Sequence, residues 1–214
     1  MWSRVPDAVC RSAAIGAGRY RGAVDTGTRV GRPRASSRET LAEAACELFL
    51  EQGFAATSIV DITRRAGVSR SSFFNYFASK SDVLWSGFDE RLDVLTRTLR
   101  GGADVDAALR AFAVDFAPDS LALGIVNAAA MGIEEDLDDE RARRQLRLGA
   151  LISERLRAAS DDSAAPDIDG AARAAAIFTA IWRWAQSGPG TASLPDELSA
   201  ALDLVVPRPP RAGA

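Results

Sequence analysis

Between Ser58 and Lys80 the chain reads SIVDITRRAGVSRSSFFNYFASK, and that spacing leaves few folds open. Thr57 or Ser58 can cap a helix whose first turn carries Asp61, an acid suited to the positive helix end. Ile59, Ile62 and Ala66 then share its inner side. Gly67 permits a reversal that a β-carbon would oppose, with Val68 packed beneath it. Ser69 caps a second short helix, Arg70 to Phe77. Phe73 and Phe77 face inward, Phe74 lies at the margin, and Arg70, Ser71, Asn75 and Tyr76 point out. Two short helices joined by an Ala-Gly-Val turn make a helix-turn-helix, a layout that sets its second helix against the major groove of DNA. The segment ends on Lys80, the single lysine of the chain.

The flanking sequence supplies helices to pack around this unit. Residues 37–52 carry Leu41, Ala44, Ala45, Leu48 and Phe49 at i, i+3, i+4, i+7 and i+8, one buried face. Ser36 and Glu39 have capping-box spacing, Cys46 reads as a small core residue, and Gly53 stops the helix. Ser79 with Asp82 makes a second capping box for a helix striped by Leu84, Phe88, Leu92, Leu95 and Leu99, ending at Gly101-Gly102. Twenty residues span about 30 Å, enough to join the N-terminal unit to a separate body. Further helices are expected at 104–116, 119–134, 138–159, 167–187 and 195–206, the last with Pro195 in its first turn. The helix over 138–159 buries Ala142, Leu146, Gly149, Ile152 and Leu156 and leaves Arg141, Arg143, Arg144 and Arg147 in water. Glu134-Glu135-Asp136 falls between helices. No alternating strand pattern occurs, so the fold class is all-α. The expected organisation is a basic, disordered tail over 1–34, a helix-turn-helix domain over 35–82, a helical body over 83–206 and a short tail over 207–214.

Charge and composition narrow the chemistry. Residues 1–80 hold 12 basic and 7 acidic side chains, whereas residues 81–214 hold 14 and 22. A basic first part on an acidic body implies a polyanion partner for the first part alone. There is no histidine, which removes the commonest general base. The two cysteines, Cys10 and Cys46, share no metal-ligand spacing. No catalytic constellation, metal site or cofactor is expected, and the chain is not read as an enzyme. No apolar run reaches membrane-spanning length and the N-terminus lacks an apolar signal core, so a cytoplasmic location is the default.

The stretch Leu41–Leu84, LAEAACELFLEQGFAATSIVDITRRAGVSRSSFFNYFASKSDVL, resembles the N-terminal domain of the TetR family of bacterial repressors. An apolar helix, Glu-x-Gly-Phe, Thr-Ser, Asp-Ile, Ala-Gly-Val-Ser, an aromatic pair and Phe-x-Ser-Lys follow in the family's order. The Phe-Phe pair and Val-Leu-Trp-x-x-Phe-Asp are similar to actinobacterial members, including the mycofactocin-cluster type.

The resemblance implies a homodimer on palindromic double-stranded DNA, with a helical body that binds a small effector. It places DNA contacts at Thr57, Ser58, Arg70, Ser71, Ser72, Asn75, Tyr76 and Lys80, with Arg64 or Arg65 along the backbone. Arg29, Arg32 and Arg34 of the tail are candidate groove contacts. The family often carries Tyr where Phe74 stands and His where Tyr76 stands, so the Tyr76 hydroxyl is expected to take over a phosphate bond. An effector cavity is expected among Phe112, Phe116, Leu123, Val126, Asn127, Met131, Phe178 and Trp182, with Arg173 and Arg183 as further anchors. A solid core without effector, or a helical small-molecule carrier, are the alternatives. The last two long helices, with Ala171, Ala174, Ala175 and Ile177–Ala180, would form the dimer interface.

Overall fold

The computed structural model describes residues 37–116, 119–158, 164–188 and 190–205. The expected tails, Cys10, the Ser36 cap and the tail arginines lie outside these residues. Among the described residues the fold is all-α: α1 (Ser37–Gln52), α2 (Ile59–Ala66), α3 (Arg70–Phe74), α4 (Ser81–Arg100), α5 (Val105–Phe112), α6 (Ser120–Val126), α7 (Ala128–Met131), α8 (Glu134–Arg157), α9 (Ala165–Ser187) and α10 (Leu194–Val205).

Local chemistry sets most boundaries. Asp104 caps α5 through Ala107 N–H, and Asp119 caps α6 through the N–H groups of Leu121 and Ala122. Two expected helices are shorter than the sequence implied. α5 stops at Phe112, where Arg91 of α4 donates to the carbonyls of Phe112, Val114 and Asp115 and ties off the helix end. The 119–134 helix divides at Asn127, whose backbone leaves the helical region (φ −109°, ψ 18°) while its side-chain amide donates to Leu123 O at 2.9 Å. α3 ends at Phe74 rather than Phe77.

α4 buries Val83, Leu84, Trp85, Phe88, Leu92, Leu95 and Leu99, so it is packed along its length rather than a free connecting rod. The N-terminal helices are likewise docked on the body. Phe54 N–H donates to Met131 O at 2.8 Å, and Arg38 of α1 pairs with Glu90 and donates to Ser86 O on α4.

α8 corrects the expected register. It begins at Glu134, which puts Glu134, Glu135 and Asp136 in its first turn, where they suit the helix dipole. Its inner face is Leu137, Arg144, Leu148, Gly149, Ile152 and Ser153, while Leu146 is 76% exposed and Ala142 lies in water. Arg144 is buried, not solvated. Its guanidinium donates to Asp89 at 2.7 and 2.9 Å, pairs with Glu140 and lies 4.4 Å from the Trp85 ring centroid. A buried arginine persists only with such partners.

α8 and α9 cross at small residues. A β-carbon on Gly170 would lie 2.2 Å from Ser153 Oγ and 2.6 Å from Gly149 O. Of the residues assigned to a dimer interface, Ala174, Ile177, Phe178 and Ala180 are instead buried within the chain. Ala171 and Thr179 are exposed, and Ala175 is half-buried.

Candidate nucleic-acid interface

The helix-turn-helix is built by short-range hydrogen bonds. Ser58 Oγ accepts from Asp61 N–H at 3.2 Å and Asp61 Oδ2 accepts from Ser58 N–H at 3.1 Å, a complete capping box for α2. Gly67 closes α2 at φ +68°, a left-handed conformation that favours glycine. Ser69 Oγ accepts from Ser72 N–H at 3.2 Å and starts α3. Phe73 is fully buried and Phe77 nearly so, and they anchor α3 from beneath. Arg70, Ser71, Phe74, Asn75 and Tyr76 are left on the exposed side, with Ser72 half-buried. The hydroxyls of Ser71 and Ser72 each lie 2.8 Å from Ser69 Oγ, which limits their freedom. The guanidinium of Arg70 lies 5.6 Å from the centroid of Phe74, four residues on.

Two residues assigned to phosphate contact are placed otherwise. Thr57 is 1% exposed, and its hydroxyl donates to Gly53 O at 2.8 Å, so it holds the α1–α2 loop and does not face solvent. Lys80 turns inward. Its ammonium donates to Phe54 O at 2.7 Å and Thr57 O at 2.8 Å, and sits 4.3 Å from the Phe54 centroid. Burial pulls its pKa below the usual lysine range, against a weaker pull upward from Asp136. Ser79 and Asp82, rather than Lys80, satisfy the start of α4: Ser79 Oγ accepts from Asp82 N–H, and Asp82 accepts from Ala78 and Ser79 N–H. Ser58 is exposed, but its hydroxyl is engaged 2.5 Å from Asp61 Oδ2.

The charge excess read from the first 80 residues lies outside the described part. Residues 37–80 carry 5 basic and 5 acidic side chains. Arg65 is neutralised by Glu51 at 2.6 Å and Glu47 at 3.1 Å, and its hydrogen bonds to both acids hold its pKa above the ordinary arginine value. Arg64 is 75% exposed with only a 3.6 Å approach to Asp61. Of the two α2 arginines, Arg64 is the more exposed, at 75% against 37% for Arg65.

The residues assigned to an effector cavity are mostly packed core. Phe178 is fully buried, with its ring centroid 5.1 Å from that of Phe88, and Phe112 lies edge-on to Phe88 at 5.6 Å. Met131 is 1% exposed. Asn127 is turned onto its own helix, and Val126 is 59% exposed on the outside. Leu123 and Trp182 are half-buried, the latter beneath the Arg141 guanidinium at 4.5 Å. Arg173 is buried against Asp106 at 3.1 Å and Asp169 at 3.2 Å, and Arg183 pairs with Glu197 at the surface. An open groove of about 420 Å³ does exist, lined by Gly87, Glu90, Arg91, Val94, Asp115, Phe116 and Asp119. Of the assigned residues it includes Phe116 alone. Burial raises the Asp119 carboxyl above its usual range, opposed by the Ala122 and Leu121 N–H groups it accepts from.

Sequence reasoning placed Phe74 at the margin of the core and gave it no role. The i, i+4 spacing of Arg70 and Phe74 was the available signal, since such pairs meet on a helix surface.

Residues 41–84 match the family model for bacterial regulatory proteins of the tetR family. A mycofactocin biosynthesis transcriptional regulator of Mycobacterium tuberculosis is 40% identical over 65 residues, 30% of this chain and 33% of that protein. A helix-turn-helix-type transcriptional repressor of the same species is 33% identical over 119 residues, 52% of this chain and 62% of that one. The chain thus spans between a third and 62% of the length of these curated relatives. A TetR-family regulator structure from Syntrophomonas wolfei superposes with a TM-score of 0.51 at 16% identity, over 79% of this chain and 92% of that one, a likeness of fold. Residues 41–84 thus carry the helix-turn-helix of the TetR family of bacterial regulatory proteins, on an all-helical fold like that of the Syntrophomonas wolfei regulator.

Proposed function

We propose that this chain is a DNA-binding transcriptional repressor that acts as a homodimer on a palindromic operator. The outward side of α3 carries the reading: Arg70, Ser71 and Asn75 stand exposed on a helix whose position is fixed by Phe73 and Phe77. Arginine suits guanine O6 and N7, and asparagine suits adenine N6 and N7. The mycobacterial relative described as a repressor supports the sign of regulation. One such helix makes too few contacts for a specific site, so two copies reading half-sites a helical turn apart, roughly 34 Å, are required. The outer stripe of α9, with Ile168, Ala172, Ala175 and Thr179, offers small and apolar side chains for the partner copy.

The effector is a small, largely apolar molecule. α4 supports the coupling of an effector to DNA binding, because it follows the α3 unit directly and also lines the groove beside Phe116. A ligand that binds one placement of α4 better than another shifts the population by that difference alone. The closed packing of Phe112, Met131 and Phe178 favours a second reading, a regulator without effector.

A mobility-shift titration on the DNA upstream of the gene tests both. Selective retardation supports the repressor reading, and equal retardation of unrelated DNA contradicts it. Release of that DNA by a medium-chain fatty acid or an aromatic hydrocarbon separates the first reading from the second.

A further inference from the structure

The aromatic ring of Phe74 is left half outside the core that Phe73 and Phe77 fill. It is 49% exposed on a side that also carries guanidinium, hydroxyl and amide groups and the ring of Tyr76, which unlike Phe74 has a hydroxyl. Its orientation is nevertheless fixed. The buried Phe73 ring meets it edge-on, with centroids 5.5 Å apart and planes at 82°, and the Arg70 guanidinium lies 5.6 Å from its centroid. A phenyl ring cannot hydrogen-bond a phosphate, so a backbone grip does not account for it. Among base edges in the major groove, the apolar group on offer is the C5 methyl of thymine. Arg70, held against the ring, still has its N–H groups for guanine O6 and N7.

We propose that Phe74 is a specificity-determining residue that reads a thymine methyl, and that it does so as one unit with Arg70 reading a guanine. The proposal rests on the DNA-binding reading above. Residues four apart are separated by about 6 Å along a helix, and successive bases of a strand by about 3.4 Å. The thymine therefore lies within two base pairs of the guanine. The Arg70 guanidinium lies 5.6 Å from the Phe74 centroid, so the two side chains would meet the groove side by side.

The test uses the full chain and an operator selected from random double-stranded DNA. Each thymine is replaced singly by deoxyuridine, which removes the methyl and leaves pairing intact. For the wild-type chain, one thymine per half-site, within two base pairs of a guanine, should be methyl-sensitive by roughly 3- to 5-fold, the factor for one methyl withdrawn from an apolar contact. Phe74→Ala and Phe74→Gln should bind thymine and deoxyuridine operators alike, and Phe74→Leu should keep the preference. A wild-type chain indifferent to every methyl overturns the proposal, as does sensitivity that persists in Phe74→Ala and Phe74→Gln. Selection that recovers no sequence overturns the DNA-binding reading itself, a different and recognisable failure.

Discussion

Replacing Lys80 by methionine separates a structural role from a phosphate contact. Methionine keeps most of the aliphatic stem and removes the ammonium. Two hydrogen bonds vanish, to Phe54 O at 2.7 Å and Thr57 O at 2.8 Å, together with the approach to the Phe54 ring. Both carbonyls lose their charged partner, but Phe54 O retains Thr57 N–H at 3.2 Å. A hydrogen bond to a charged group contributes about 1.5–3 kcal/mol, and the burial that lowers the Lys80 pKa offsets part of the second bond and the ring contact. The net loss is therefore about 2–3 kcal/mol, or a fall in Tm of about 5–10 °C for a chain of this size. Thermal unfolding by circular dichroism measures it. The companion readout is the salt dependence of DNA affinity, where each phosphate contact contributes a slope of about one. An inward lysine leaves that slope unchanged. A slope reduced by about one with Tm unaltered would refute the inward assignment and return Lys80 to the DNA surface.

Other substitutions probe separate parts of the account. Arg64→Ala should lower the salt slope by about one, whereas Arg65→Ala should leave it nearly unchanged because Glu47 and Glu51 already hold that charge. Titrations at several salt concentrations compare the two. Gly170→Ala drives a methyl into Ser153 Oγ and Gly149 O and should cost at least about 1–3 kcal/mol by thermal unfolding. Asp119→Asn keeps the acceptor that caps α6 and removes a carboxylate whose folded pKa is raised. A raised folded pKa means that Asp119 contributes most when protonated and that the contribution is lost as pH rises through the folded pKa. The variant should thus match or exceed wild-type stability at neutral pH, since Asn and Asp cap equally well, and the difference should shrink as the pH falls through the carboxylate range. Urea melts at pH 7 and pH 4 read this.

Legibility in the sequence followed the range of the interaction. Ser58 with Asp61, Gly67, Ser69 and Ser79 with Asp82 act over four residues or fewer, and their caps and turn were readable from spacing. The inward bonds of Lys80 were not readable, because its partners lie 23 and 26 residues away and nothing local reveals carbonyls waiting there. Arg144 was assigned to water for the same reason: Asp89, its partner, comes from α4, 55 residues earlier. That error carried the α8 register with it. Apolarity favoured Leu146 as inward, while the helix buries Leu148 and the stem of Arg144 instead. Apolar residue type also suggested a cavity, but type does not distinguish a lined space from a filled one, and Phe112 and Phe178 pack against Phe88.

The central claim, that α3 reads a specific DNA sequence through Arg70, is tested most directly by fluorescence anisotropy. The full chain and Arg70→Ala are titrated against a selected operator and against scrambled DNA at one salt concentration. The account predicts that the wild-type chain prefers the operator by at least 10³-fold. Arg70→Ala should lose about 1–3 kcal/mol on the operator, with one base position per half-site relaxed and affinity for scrambled DNA little changed. Equal affinity for both DNAs, or an Arg70→Ala chain with undiminished operator preference, would contradict it.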